Sequence, residues 1–127
     1  MHQCFVCGTY YNTELHHRIF RSQCKPLENC KLNHIYLCAE HHRGENGVHG
    51  KNGNKLDRII KLQFQNNLEI LWDKQYLTRE EIKEVLQIND KAVDRLLKTL
   101  IKHKDKYIRE DVIRQCMGGK LIMEDNK

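Results

Sequence analysis

The chain has 127 residues, 31% of them charged, and a formal net charge of +5. It has no long apolar run and no basic start followed by an apolar stretch and a small-residue cleavage site, which argues against a membrane-spanning or secreted protein. The composition therefore predicts one domain, or two very small ones, in the cytoplasm without a membrane partner. The positive charge favours a polyanionic partner only weakly, and six cysteines in a reducing compartment are more typical of metal ligands than of disulfides.

The first predicted element is a metal-binding finger. Cys4 and Cys7 form a C-x-x-C pair followed by a turn residue, Gly8, and Cys38 and His41 form the matching C-x-x-H pair. Two residues between ligands let both side chains reach one tetrahedral centre, and three thiolates with one imidazole are a common zinc set. The segment also has too few large apolar side chains to fold by burial alone, so a structural Zn²⁺ would supply the missing stability.

The other three cysteines lack this spacing. Cys24, Cys30 and Cys116 are interpreted as structural or free thiols. The alternative that one of them replaces an assigned zinc ligand stays open at this point.

Histidines are concentrated in the same segment. His16 and His17 lie between the C-x-x-C pair and the C-x-x-H pair, here called the two knuckles, and His42 and His49 follow the second knuckle. Adjacent side chains of an extended segment point to opposite faces, so one member of the pair could bind a metal while the other faces a substrate. A cluster of His16, His42 and His49 would leave coordination positions open for water and phosphate, as a catalytic metal requires. The alternative for each histidine is a surface or structural role.

This series of residues resembles the motif of HNH endonucleases. The resemblance rests on Cys4-x-x-Cys7, His16-His17, Asn33, Cys38-x-x-His41-His42 and Val48-His49. It implies a ββα-metal fold, in which a β-hairpin carries the histidine pair and the following helix carries later ligands. It further implies that His16 and His42 bind a catalytic Mg²⁺, Mn²⁺ or other transition metal, that His17 is the general base, and that Asn33 braces the hairpin so that the base is aimed.

One position departs from the family pattern. Relatives often place the last metal ligand four residues after the position of His42, where this chain has Asn46. Because two glycines would break a helix here, the helix is predicted to stop near Arg43 and a glycine-rich turn to return His49 to the metal. Asn46 or a water molecule as the last ligand stays open.

The resemblance implies hydrolysis of DNA phosphodiester bonds, with no small-molecule substrate, by an enzyme of a phage or bacterial mobile element. Arg18 and Arg43 flank the histidines and could clamp a phosphate, or could equally be solvated surface charges. An enzyme with one site that cuts both strands would need to act as a homodimer or to meet its substrate twice.

After residue 53 the pattern becomes helical. Leu56, Ile60, Phe64 and Leu68 recur every fourth residue, which predicts an amphipathic connecting helix over 54–72.

Two more helices are predicted from their capping residues. Thr78 followed by Glu81 is a capping-box pattern that begins a helix over 78–86, and Asn89 is the predicted cap of a helix over 91–102. The segment 102–106 is too polar to pack.

A last short helix is predicted over 107–117. The helices over 78–86 and 91–102, joined by a turn at 87–89, have the length and rhythm of a helix-turn-helix within the region 77–123. The run 106–113 resembles the closing strand and helix of excisionase-like or MerR-like DNA-binding units. By that resemblance Lys91, Arg95 and Lys98 would face DNA. The alternative is a helical hairpin that packs on the connecting helix or forms a dimer interface.

The predicted fold class is α+β. The predicted segments are a zinc-stabilised ββα-metal core over 1–53, a connecting helix over 54–76 and a helical region over 77–123. The leading hypothesis is a metal-dependent DNA endonuclease in a bacterial or phage-infected cell. The alternatives are a zinc-stabilised DNA-binding module without catalysis and a zinc-stabilised adaptor for protein interactions.

Overall fold

A computed structural model describes residues 2–123 of the chain. Over that range the fold is mixed, with five α-helices and two small antiparallel sheets. The predicted α+β class is therefore confirmed at this level. No helix within these residues is long and apolar enough to cross a membrane.

The N-terminal part is a β-hairpin followed at once by a short helix. Strand β1 (Thr13–His17) pairs antiparallel with strand β2 (His34–Cys38), and helix α1 (Ala39–Arg43) begins directly after β2. The long connection between the strands contains two 3-10 turns, Lys25–Leu27 and Lys31–Asn33. Helix α1 contacts both strands of this hairpin.

The connecting helix, α2 (Asn54–Leu71), ends one residue before the predicted limit. Ile60, Phe64 and Leu68 of its predicted apolar stripe are fully buried. The four-residue spacing of apolar side chains therefore identified this helix and its buried face correctly.

The remaining elements alternate strands and helices. They are β3 (Tyr76–Thr78), α3 (Arg79–Leu86), α4 (Asp90–Leu97), β4 (Lys102–His103), β5 (Lys106–Ile108) and α5 (Arg109–Cys116). Both predicted caps are confirmed: Thr78 forms a complete capping box with Glu81, and the Asn89 side chain accepts from Ala92 N at 2.8 Å. Strand β5 lies between β3 and β4 in a three-stranded sheet.

Two predicted helix limits in this region are wrong. Helix α4 ends at Leu97, not at residue 102, and α5 begins at Arg109, not at residue 107. The intervening residues form the β4–β5 hairpin, which turns at Lys104 with a positive φ of 60°. The pairing of β5 with β3 explains the difference, because it depends on residues thirty positions away and leaves no local periodicity.

The larger hydrophobic core joins the β1–β2 connection to the C-terminal helices. Its buried members from the connection are Ile19, Cys24, Leu27 and Cys30, and they pack with apolar side chains of α2, α3, α4 and α5. The predicted boundary at residue 53 thus separates two kinds of sequence pattern, whereas the core crosses it. A smaller cluster lies beneath the finger and includes Leu37, Val48 and Ile60.

The three cysteines without ligand spacing lie in the larger core. Cys24, Cys30 and Cys116 are all buried, and none belongs to a metal-ligand cluster of the described residues. Burial raises the pKa of the Cys24 thiol to about 11. The three side chains therefore remain neutral thiols that contribute apolar packing.

Two candidate metal sites and the surface around them

The four residues predicted as zinc ligands are brought together. One ligand atom from each of Cys4, Cys7, Cys38 and His41 lies within 4.8 Å of all the others. His41 Nδ1 is 3.2 Å from Cys38 Sγ and 3.7 Å from Cys4 Sγ, and the Sγ atoms of Cys7 and Cys38 are 3.9 Å apart. A Cys₃His cluster of this size could hold a structural metal such as zinc.

The backbone around Cys4 favours its metal-binding form. Gly8 takes a positive φ of 77° and donates its N–H to the carbonyl of Cys4 at 2.9 Å, which closes the tight turn of the first knuckle. Burial opposes ionisation of Cys4, but backbone hydrogen bonds from Cys38, Cys7 and Val6 outweigh it and lower the pKa of the thiol to about 6. Thiolate is the form that binds metal.

His16, His42 and His49 form a second cluster. Their ring centroids are 4.9–5.2 Å apart, and one nitrogen of each lies within 4.8 Å of the others. His16 Nε2 is buried and has no hydrogen-bond partner among residues 2–123. Burial, and then the charges of the other two histidines, lower the pKa of His16 to about 3. This group of imidazoles could hold a metal ion, which would satisfy the buried nitrogen of His16.

A carboxylate that the sequence analysis missed orients His42. Glu14 Oε1 lies 2.7 Å from His42 Nδ1, which leaves Nε2 of that ring for the cluster. The hydrogen bond to His42, and then that to Arg43, hold the pKa of Glu14 below its usual range. Glu14 stands two residues before His16 on β1, so period-two alternation of a strand could have placed both on one face. Such a carboxylate fixes the tautomer of a metal-binding histidine.

The glycine-rich segment returns His49 to the cluster as predicted. Helix α1 ends at Arg43, and His49 N then donates to the carbonyl of His42 at 3.0 Å. A side chain at Gly50 would place its Cβ 1.9 Å from the backbone carbonyl oxygen of Gly44. The segment between α1 and α2 therefore requires glycine here, because its backbone passes too close to Gly44 for any side chain. Asn46, the alternative last ligand, is exposed and accepts a hydrogen bond from another amide instead.

His17 lies beside the histidine cluster at the end of β1. Its Nε2 is 2.9 Å from the carbonyl oxygen of Glu28, and Nε2 of His34 is 2.8 Å from the same oxygen. With Nε2 as the donor, Nδ1 of His17 is left with its lone pair. Burial is the main cause that lowers the pKa of His17, which keeps the ring neutral near pH 7.

Both members of the histidine pair face one open cleft of about 540 Å³. The residues that line it are Leu15, His16, His17, Phe20, Arg21, Ser22, His42 and His49. Although adjacent residues of a strand alternate, His17 is the last residue of β1, and both rings reach this surface. A substrate in the cleft would thus meet the three-histidine cluster and His17 together.

The Asn33 side chain is hydrogen-bonded to the loop, and within residues 2–123 it forms no hydrogen bond with His17. The side chain is fully buried, and its Oδ1 accepts from Ile19 N at 2.7 Å. Its Nδ2 donates to the carbonyls of Ile19 at 3.1 Å and Leu27 at 3.3 Å. These bonds tie the start of the connection to the turn that precedes Glu28, whose carbonyl holds His17. Asn33 therefore holds this loop together, and its predicted role in aiming a catalytic base stays a prediction.

Arg18 does not reach the cleft. Its side chain is buried, and Nη1 donates to the carbonyl of Ile60 at 3.0 Å and to Gln63 Oε1 at 2.7 Å. The prediction of a phosphate-clamping Arg18 is wrong for this structure, because α2 packs over this position and supplies the acceptors. Arg43 keeps an exposed side chain but pairs with Glu14 at 2.8 Å.

Lys91, Arg95 and Lys98 are exposed on α4 and its last turn. None of them forms a salt bridge with another residue between 2 and 123, whereas the two aspartates of α4 do. The basic side chains predicted to contact DNA therefore stand on an accessible face.

Comparison with known proteins identifies no relative: no protein-family model, curated protein or solved structure matches the chain. The chemistry of the two clusters and of the open cleft is therefore the basis for assigning a function.

Proposed function

We propose that the chain is a metal-dependent endonuclease of the HNH type that hydrolyses phosphodiester bonds of DNA. The observation that carries this proposal is the cluster of His16, His42 and His49 beside His17 in one open cleft. Three imidazoles leave coordination positions for substrate oxygen, which a purely structural four-ligand site lacks. The separate Cys₃His cluster fixes α1, and α1 carries His42 into the cleft.

The three-histidine set fits a divalent ion and favours some ions over others. Imidazole ligands suit transition metals, whereas Mg²⁺ prefers oxygen ligands and water. We therefore expect Mn²⁺ or another transition ion to support activity better than Mg²⁺. When bound, such an ion would supply Lewis-acid stabilisation of the phosphate and of the leaving oxygen.

His17 supplies the proton transfer in this proposal. Its Nε2–H is held by the Glu28 carbonyl at 2.9 Å, so that Nδ1 can accept a proton from the attacking water. A neutral imidazole is suited to this role near pH 7. Asn33 acts through the loop, because its three hydrogen bonds hold the turn that presents Glu28.

Helix α4 is proposed to bind the DNA backbone. Its acidic residues are neutralised within the helical hairpin: Asp90 pairs with Arg79 and Lys83, and Asp94 pairs with Arg79. Its apolar residues face the core. The exposed cations Lys91, Arg95 and Lys98, which form no salt bridge with any residue between 2 and 123, are thus left for phosphates.

A plasmid-nicking assay tests the proposal. The wild-type protein, kept loaded with zinc, is compared with His17→Ala in added Mn²⁺, Mg²⁺ or neither. His34→Ala is the matched control, since His34 contacts the same Glu28 carbonyl but does not line the cleft. We expect nicking that depends on added metal, is lost in His17→Ala and is largely kept in His34→Ala. Nicking by His17→Ala would remove this residue from the mechanism.

The opposite result also has a definite meaning. A zinc-loaded protein that binds DNA but cuts it with none of the metals would be a DNA-binding module without catalysis. Zinc content and the far-UV circular dichroism spectrum of each variant show whether a loss of cutting reflects chemistry or unfolding.

A further inference from the structure

Two exposed cations on the β1–β2 connection share one carboxylate. Arg21 Nη1 is 3.4 Å from Glu28 Oε2, and Lys25 Nζ is 2.8 Å from Glu28 Oε1. Arg21 lines the histidine cleft, whereas Lys25 lines a different cleft. Because Glu28 also holds His17 through its backbone carbonyl, this residue connects the two surfaces.

The second cleft separates the connection from the start of α4. Its volume is about 160 Å³. The connection contributes Lys25, Pro26, Glu28 and Asn29, and the opposite wall is Ile88, Asn89, Lys91, Ala92 and Arg95. Cations thus lie on both walls, Lys25 on one wall and Lys91 with Arg95 on the other. Lys25 pairs with Glu28, whereas Lys91 and Arg95 form no salt bridge within the part of the chain described.

The two walls are held together from beneath. Leu27 and Cys30 of the connection are fully buried in the same core as Val93 and Leu96 of α4. Packed interiors of this kind do not hinge freely. The backbone segments that carry the cations of the connection and of α4 therefore keep their relative positions.

We propose that Arg21, Lys25, Lys91 and Arg95 form one continuous phosphate-binding track for duplex DNA. The track runs from the histidine cleft, across Glu28, to the exposed face of α4. The linings of the two clefts contain these four cations and one carboxylate, Glu28, and cations spread along a surface in this way suit an extended polyanion better than a small anion. This inference rests on the proposed DNA substrate and adds Arg21 and Lys25 to its contacts.

The salt dependence of binding tests the track. The affinity of zinc-loaded protein for a short duplex is measured at several salt concentrations without added Mn²⁺ or Mg²⁺. The logarithm of the affinity falls as the logarithm of the salt concentration rises, and each cation that neutralises a phosphate makes this slope steeper by about 0.9. We therefore expect the magnitude of the slope to decrease by about one unit in Lys25→Gln and by about the same amount in Arg21→Gln. Lys25→Arg keeps the charge and should keep the slope.

Lys120→Gln is the matched control, because Lys120 is exposed and lines a separate groove with Glu69 and Glu110. A Lys25→Gln slope equal to that of this control, or no measurable binding to the duplex, would overturn the track. Nicking is scored separately on plasmid. If the variants change the slopes as expected but the protein does not nick plasmid, the nuclease proposal is refuted and the track is kept. If the protein nicks plasmid but the slopes of the variants are unchanged, the track is refuted and the nuclease proposal is kept.

Discussion

Replacing Asn33 by alanine should destabilise the protein strongly, although within residues 2–123 its side chain forms no hydrogen bond with a histidine. Asn33→Ala leaves the N–H and the carbonyl of Ile19, a buried residue, without their side-chain partner. The carbonyl of Leu27 loses one bond but keeps the N–H of Cys30 at 3.1 Å. Each buried group left without a partner costs about 1–3 kcal/mol, so the two groups of Ile19 predict a loss of about 4 kcal/mol in the free energy of unfolding.

Urea unfolding of zinc-loaded protein, followed by circular dichroism, measures this loss. Because a small domain has only about 5–15 kcal/mol in total, the midpoint should fall by about a quarter or more. Asn66→Ala, an exposed position on α2, is the control and should change the stability by less than about 0.5 kcal/mol. A loss below about 1 kcal/mol for Asn33→Ala would refute the view that its side chain holds the loop together.

Three further outcomes follow from the two clusters. Glu14→Gln keeps a side chain beside His42 but removes its charge, so calorimetry should show Mn²⁺ affinity reduced about 10–100-fold; an unchanged affinity would contradict the orienting role. Gly50→Ala forces the coil away from the carbonyl oxygen that the added Cβ would overlap, and we expect a loss of about 1–3 kcal/mol in thermal melts together with weaker Mn²⁺ binding. A strong chelator should unfold the N-terminal hairpin, and added Zn²⁺ should restore its circular dichroism; a spectrum that survives chelation would argue against a structural metal.

Local signals in the sequence were sufficient for the elements that depend on near neighbours. The four-residue apolar spacing located α2, and Thr78 and Asn89 marked the starts of α3 and α4 because a side-chain cap acts within one turn. The two-residue spacing within each pair also identified the four residues of the Cys₃His cluster that the structure brings together.

Features that depend on distant partners could not be predicted in this way. Strands β3, β4 and β5 are two or three residues long, too short for an alternating pattern, and they exist because they pair with one another. Arg18 looked like a surface cation beside the histidines, and only the position of α2 shows that its guanidinium is buried against the carbonyl of Ile60. Glu14 was visible in the sequence, but its role depends on an α1 residue, His42, that lies twenty-eight positions away.

The hydrophobic core that crosses residue 53 fixes the distance between the histidine cleft and helix α4. Leu27 and Cys30 lie beside the turn that holds His17, and they pack in the same core as α4. Within residues 2–123, the proposed catalytic site and the helix proposed to bind the duplex are therefore joined by a packed core and not by a flexible linker. On the proposed function, every cut should fall at the same number of base pairs from the α4 footprint, whatever the sequence between them. In such an enzyme the packing of the hydrophobic core sets the distance between the α4 contacts and the cut. Changing that distance would require changing the core.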